Sequence, residues 1–261
     1  MSALPRLVAT RYVTALREGG SVPAVVECDD GNLWVAKFRG SAQGGRALAA
    51  EVVVGTLARA AGLRMPALGL VEIDAALGRS EPHQEIRELL VGSAGENLAM
   101  AYLPGAVGYD AAARTPVGGP LASAIVALDV LAANVDRTAK NPNLLWWRGE
   151  LWLIDHGAAL YWHHGFEPQP DEALAASASR PFARVGEHVL LPFADDLPRA
   201  GAALAAALDD DTLARAVALV PEPWLDGAPA LRAAYLTWLR ARRAALPQLL
   251  EEASRVRATR V

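Results

Sequence analysis

The chain has 261 residues, 52% of them hydrophobic, enough for one large domain or for two lobes that share a cleft. A net charge of -4 and a sequence pI near 5.8 argue against a protein that binds nucleic acid by neutralising its phosphates. The single cysteine, Cys28, excludes an intramolecular disulfide and a cysteine-rich zinc site.

Residues 11–38 read as three short strands broken at "EGGS" and "DDGN", both good turn sequences. Alternation in Leu33-Trp34-Val35-Ala36-Lys37-Phe38 places Leu33, Val35 and Lys37 on one face. Residues 46–63 form a helix with an apolar stripe of Leu48, Val52, Leu57 and Ala61, stopped at Gly62. A strand follows over 64–74, a short helix within 78–96, and a strand over 97–106 that ends in a Pro-Gly hinge near residue 105.

From about residue 119 the pattern turns helical. The run "LASAIVALDVLAA" is too short to span a bilayer and is interrupted by Asp129, so no membrane span is expected and the protein is expected to be cytoplasmic. Residues 143–155, "NLLWWRGELWLID", are a hairpin turning at Arg148-Gly149. Beyond "PFADDLPRA" the chain is helical, with Pro247 expected to kink or divide the last helix and Arg240, Arg242 and Arg243 forming a solvated face. The five histidines show no HExxH-type spacing, and in a strand His163 and His164 point to opposite faces, which argues against a shared metal.

Of 25 Lys and Arg residues, only Lys37 and Lys140 are lysine, in a composition that otherwise favours Arg. Lys140 lies in "NVDRTAKN", residues 134–141, between the buried-looking helix and the hairpin. With a two-residue loop at Arg148-Gly149, Asn143 opposes Ile154, Pro142 opposes Asp155 and Asn141 opposes His156. That register brings Asn141 and Asp155 to one open end, where an amide oxygen and a carboxylate suit Mg²⁺ completed by water and phosphates. Asp136, opening the same loop, is placed to orient or deprotonate an attacking hydroxyl. The plainer alternative stands beside this: Asp136 caps a turn, Asn141 satisfies backbone and Asp155 precedes a glycine bend.

The pattern Asp136-x-x-x-x-Asn141 followed across a hairpin by Asp155-His156-Gly157 resembles the catalytic core of the protein-kinase-like fold. "DRTAKN" and the stretch 134–160 resemble an uncharacterised bacterial branch of the HipA-like kinases, and D-R-x-x-x-N with I-D-H-G is similar to the phosphatidylinositol 3- and 4-kinases. The resemblance covers roughly residues 10–160. It implies an α+β, two-lobed fold, with a β-rich N-lobe over 1–105 and a mainly helical C-lobe over 106–261. It implies Asp136 as the catalytic Asp, with Lys140 approaching the transferred phosphoryl and Asn141 and Asp155 holding Mg²⁺. It further implies Lys37 of "VAKF" on the α/β-phosphates of ATP, Glu51 as its helix partner, and Gly19, Gly20 and Ser21 as the phosphate-covering turn. Departures from the pattern are Asn134 in place of the H-R-D histidine region, His156 in place of the DFG phenylalanine, and no G-x-G-x-x-G.

The expected activity is ATP- and Mg²⁺-dependent transfer of the γ-phosphoryl group to a hydroxyl, protein Ser/Thr first, with lipid and small-molecule acceptors open. A pseudokinase-type nucleotide-binding module and an AMP transferase are the alternatives. Ser21 is a possible autophosphorylation position by analogy.

Overall fold

The computed structural model describes residues 3–16, 22–80, 83–113 and 115–259. Five strands close a barrel in the order β1-β2-β3-β5-β4: β1 (Arg6–Ala15), β2 (Ala24–Cys28), β3 (Leu33–Lys37), β4 (Leu68–Ile73) and β5 (Gly95–Ala101). All neighbours are antiparallel except β1 and β4. The "DDGN" turn forms as its sequence predicts: Gly31 takes φ +75°, and Asn32 N–H donates to Asp30 Oδ1 at 3.0 Å. The "EGGS" turn, with Gly19, Gly20 and Ser21, lies outside the described residues.

Alternation along β3 sorts its side chains between two cores. Trp34, Ala36 and the following Phe38 fill the barrel with Leu7, Val26, Val71, Ile73 and Ala99. Val35 and Lys37 face the other way, where Val35 packs on the larger core.

Helix α1 (Gly44–Ala60) crosses that outer face. It is buried on nearly every side, not along one stripe: Ala47, Ala49, Ala50, Val52, Val53, Val54, Gly55 and Ala58 are all inaccessible, and only its C-terminal end is exposed. The reason is that α1 packs on two surfaces at once, the barrel and the C-terminal helices. Gly62, at φ +77°, ends it as the sequence predicts, with Leu63 N–H returning to Ala58 O at 2.9 Å. Helix α2 (Gln84–Gly92) closes one mouth of the barrel through Ile86 and Leu90.

After the turn at Gly105, β6 (Val107–Gly108) joins β7 (Leu144–Trp147) and β8 (Glu150–Leu153) in a small sheet. Helices α3 (Gly119–Ala132), α4 (Asp171–Ala178), α5 (Leu197–Ala207), α6 (Asp210–Ala218) and α7 (Ala230–Ala258) form the rest, with α7 packed against α3, α4, α5 and α6. The larger hydrophobic core runs without a break from α1 through α3 and α5 to α7.

Three expectations are corrected. Helix α7 continues through Pro247 rather than dividing there. Arg242 is not on a solvated face; it is buried and donates to the carbonyls of Val130, Leu131, Ala178 and Arg180, which caps the C-terminal end of α3 and ties it to α4. Burial lowers its guanidinium to about 10. His163 and His164 lie in a 3-10 turn, not a strand, so their rings meet at 4.3 Å between centroids instead of pointing apart.

Candidate active site

Lys37 sits at the last position of β3, its neighbour in the ladder being Leu98 of β5. Its ammonium is buried and meets two carboxylates, Glu51 of α1 and, at 2.9 Å, Asp155 Oδ1. Glu51 is held from the other side as well: its Oε2 accepts from the backbone N–H of His156 at 2.9 Å. Burial works against the charged form of every member of this triad. It is outweighed for Lys37, whose ammonium the two carboxylates hold above its ordinary range, and for Asp155, which Lys37 holds at about 2. For Glu51 burial wins and the carboxyl is raised.

Asp155 reaches this point through the hairpin, whose register is the predicted one: Leu144 opposes Leu153, Leu145 opposes Trp152, Trp146 opposes Leu151 and Trp147 opposes Glu150. Arg148 and Gly149 both adopt positive φ, +51° and +78°, the geometry of a two-residue type I′ loop. Ile154 N–H still donates to Asn143 O at 3.1 Å. Beyond that pair the ladder stops, because Asn143 and Asp155 both turn into the left-handed region, φ +51° and +52°. The strict opposition of Asn141 to His156 that a continued ladder requires is therefore replaced by a flared end.

The loop carrying Asp136 crosses this flared end. Asp136 Oδ2 accepts from Asn141 Nδ2 at 2.6 Å and from Asn143 Nδ2 at 3.3 Å. Its own N–H donates to Asn134 Oδ1 at 3.2 Å. Neither Asp136 Oδ1 nor Asn141 Oδ1 takes a hydrogen bond from a described residue, so each presents a free acceptor at the opening. Lys140 is exposed and has no ion pair or hydrogen bond among the described residues. The structure thus brings Lys37, Glu51 and Asp155 together directly, and Asp136 and Asn141 together beside them. Among the described residues no three His, Cys, Asp or Glu side chains surround a common point.

Beneath the loop lies a polar hub that spacing did not reveal. Arg137 is fully buried and bonds Asp129 of α3, Asn143 O at 2.5 Å and His156 Nδ1 at 3.1 Å. His188 Nε2 approaches Asp129 Oδ2 at 3.0 Å, and Leu190 N–H donates to His188 Nδ1 at 3.0 Å. Arg137 and His188 hold the Asp129 carboxyl far below its usual range against its burial. The one sequence signal for this hub was Asp129 itself, an acid in the middle of an otherwise apolar helix.

The HipA-like kinase profile matches residues 10–181. The chain belongs to the HipA-like kinases. No curated protein matches it. Among solved structures it is similar to the Helicobacter pylori proinflammatory kinase CtkA, with a TM-score of 0.58 at 11% identity over 94% of this chain and 95% of that one. It is also similar to a Golgi casein kinase solved with Mn and ADP, with a TM-score of 0.49 at 12% identity over 100% of this chain and 74% of that one. The CtkA likeness spans nearly the whole of both chains, so the α+β kinase-like fold extends past the residues that the profile covers. Among the described residues no helix of this HipA-like kinase is long and apolar enough to cross a membrane.

Proposed function

We propose that this HipA-like kinase transfers the γ-phosphoryl group of ATP to a hydroxyl, with a protein Ser/Thr as the first acceptor to test. The observation that carries the reading is Lys37, a buried ammonium clamped between Glu51 on α1 and Asp155 after the hairpin. A lysine fixed by a helix glutamate is what contact with α/β-phosphates requires. Two carboxylates, Glu51 and Asp155, meet the one ammonium, and the Asp155 side chain is the partly exposed one, which suits it to a divalent cation.

The donor set fits Mg²⁺: Asp155 supplies a carboxylate oxygen and Asn141 a free amide oxygen, both hard ligands. When bound, the ion neutralises charge on the nucleotide phosphates. The chain's own part is positioning. Asn141 and Asn143 occupy Asp136 Oδ2, which orients the carboxylate and leaves Oδ1 to receive the acceptor hydroxyl. Lys140, exposed and unpaired among the described residues, is free to meet the transferred group. Gly19, Gly20 and Ser21 are retained as the phosphate-covering turn on their sequence.

The test is Mg²⁺-dependent phosphate transfer from ATP to a panel of proteins, read by intact mass. Asp136→Ala and Asp155→Ala are each expected to lower kcat by more than about a hundredfold. Mass addition of AMP rather than phosphate would assign the transferase chemistry to the same pocket reversed. Unchanged transfer in Asp155→Ala would remove the metal assignment.

A further inference from the structure

Two buried residues outside the set above connect its halves. Arg137 projects from the residue after Asp136, and its guanidinium reaches α3 through Asp129, the entry to β7 through Asn143 O, and His156 Nδ1 at 3.1 Å. Weaker approaches to Pro142 O and Ile154 O, at 3.5 and 3.4 Å, span both strands of the hairpin. Its own carbonyl accepts from Val189 N–H at 3.0 Å. His156 is fully buried, and its backbone N–H holds Glu51 Oε2. One residue therefore touches both the α1 carboxylate and the arginine of the Asp136 loop.

We propose that Arg137 and His156 are positioning residues, a polar coupling that keeps the Asp136 loop in register with the Lys37–Glu51 pair. The proposal rests on the phosphotransfer reading above. A guanidinium has donors only, so His156 Nδ1 must accept, which fixes the neutral tautomer with its proton on Nε2. That Nε2–H is buried and finds no partner among the described residues. Leaving a buried donor unsatisfied costs stability, and an apolar ring of similar volume would avoid that cost. A phenylalanine, however, would leave the Arg137 Nη2 donor facing carbon and uncouple the loop from the residue that holds Glu51. The imidazole is retained for the acceptor at Nδ1, not for its volume.

Asparagine and phenylalanine separate these roles at position 156. Asn places an oxygen near the position of Nδ1 but underfills the site, whereas Phe fills the site without an acceptor. We expect His156→Phe to lower kcat for phosphate transfer by about tenfold or more, and His156→Asn to recover most of that loss although its Tm is lower. A purely packing role predicts the reverse order, and Phe outperforming Asn would overturn the coupling. Should His156→Phe fail to fold, Arg137→Lys is the second variant, since Lys keeps a charge for Asp129 but lacks the fork. Its kcat should fall by about tenfold, and unchanged kcat would overturn the proposal. Nitrogen NMR of the His156 ring in the wild-type chain is the readout independent of activity. It should find Nε2 protonated and Nδ1 bare, and a protonated Nδ1 overturns the coupling. A wild-type chain that transfers nothing yet shows this tautomer sinks the phosphotransfer reading and leaves the Arg137–His156 bond standing.

Discussion

At Lys37 the energetic question is what a buried ammonium is worth when its partners are buried too. Removing one member of such a set leaves the others as uncompensated charge, which costs about 3–5 kcal/mol, while replacing a pair together with apolar groups costs far less. Lys37→Met strands Glu51 beside Asp155, so its stability loss should approach that range. Lys37→Met combined with Glu51→Leu should lose less than the sum of the single variants, although His156 N–H then loses its acceptor. Urea denaturation of the four chains gives the cycle directly, and simple additivity would mean that the pair is solvated rather than buried. Transfer activity should be lost in all three variants. Cys28 belongs to the same scale with the opposite conclusion: burial and the nearby Asp30 and Asp29 push its thiol up to about 12, so it is a packing residue without thiolate chemistry.

At the scale of elements, the position of α1 decides whether Glu51 meets Lys37. The start of the helix is gripped by the C-terminal half: Arg46 bonds Asp226 at 3.0 Å and the carbonyl of His163, while Trp224 Nε1 ties the same region to the barrel by donating to Glu96 O of β5 at 3.3 Å. A Cβ on Gly45 would lie 2.8 Å from Trp224 Cα and 2.9 Å from Trp224 O, so Gly45→Ala must push α1 away from the 222–225 turn. We expect about 1–3 kcal/mol of destabilisation and a loss of transfer activity larger than that stability change explains. Gly149→Ala is the contrast, since nothing lies within 4 Å and the penalty comes from its φ of +78° alone; about 1 kcal/mol with kcat unchanged is the expected result. Equal activity in the two variants would show that the grip on α1 does not matter. Arg242→Ala removes the donor from the buried carbonyls of Leu131 and Ala178 and one of the donors on Val130 O, and should cost about 2–4 kcal/mol in a urea titration. The contrast among these elements explains what the sequence made legible. The hairpin register was readable because Arg148-Gly149 is a local turn signal and the pleat does the rest. Lys37 and Glu51 follow from the likeness of "VAKF" and the helix after it to the kinase pattern, and the strand and helix that carry them were local enough to read. Arg242, the grip on α1 and the hub at Asp129 were hidden, because each depends on elements distant in the chain meeting in space.

Across the whole molecule, the buried histidines tie stability to pH, and the sign follows from their direction of shift. Burial first, and then the charges of His164 and Arg46, lower His163 from 6.5 to about 3, with Tyr235 OH at 2.8 Å from its Nδ1. Burial and the Arg137 charge lower His156 to about 3 as well. Both rings are therefore neutral in the folded chain at neutral pH, while in the unfolded chain they bind protons below about 6.5. Their contribution is fully present above that value and is lost as the pH falls toward about 3, because the unfolded state then holds more protons. The depressed Asp129 carboxylate acts in the same direction at lower pH, since its stabilisation is present above the ordinary carboxylate range and lost below it. By pH 5 the two histidines together should remove about 4 kcal/mol relative to pH 7.5. His163 also sits where its carbonyl receives Arg46, so the acid loss falls on the seam that fixes α1. Urea midpoints measured from pH 7.5 to pH 5 should drop steadily, and His163→Gln should flatten about half of that slope. The raised Glu51 carboxyl opposes this trend, because the folded chain takes up its proton first. The deciding comparison is therefore between slopes: equal slopes for the wild-type chain and His163→Gln would mean that His163 is protonated or solvated in the folded chain, against its burial.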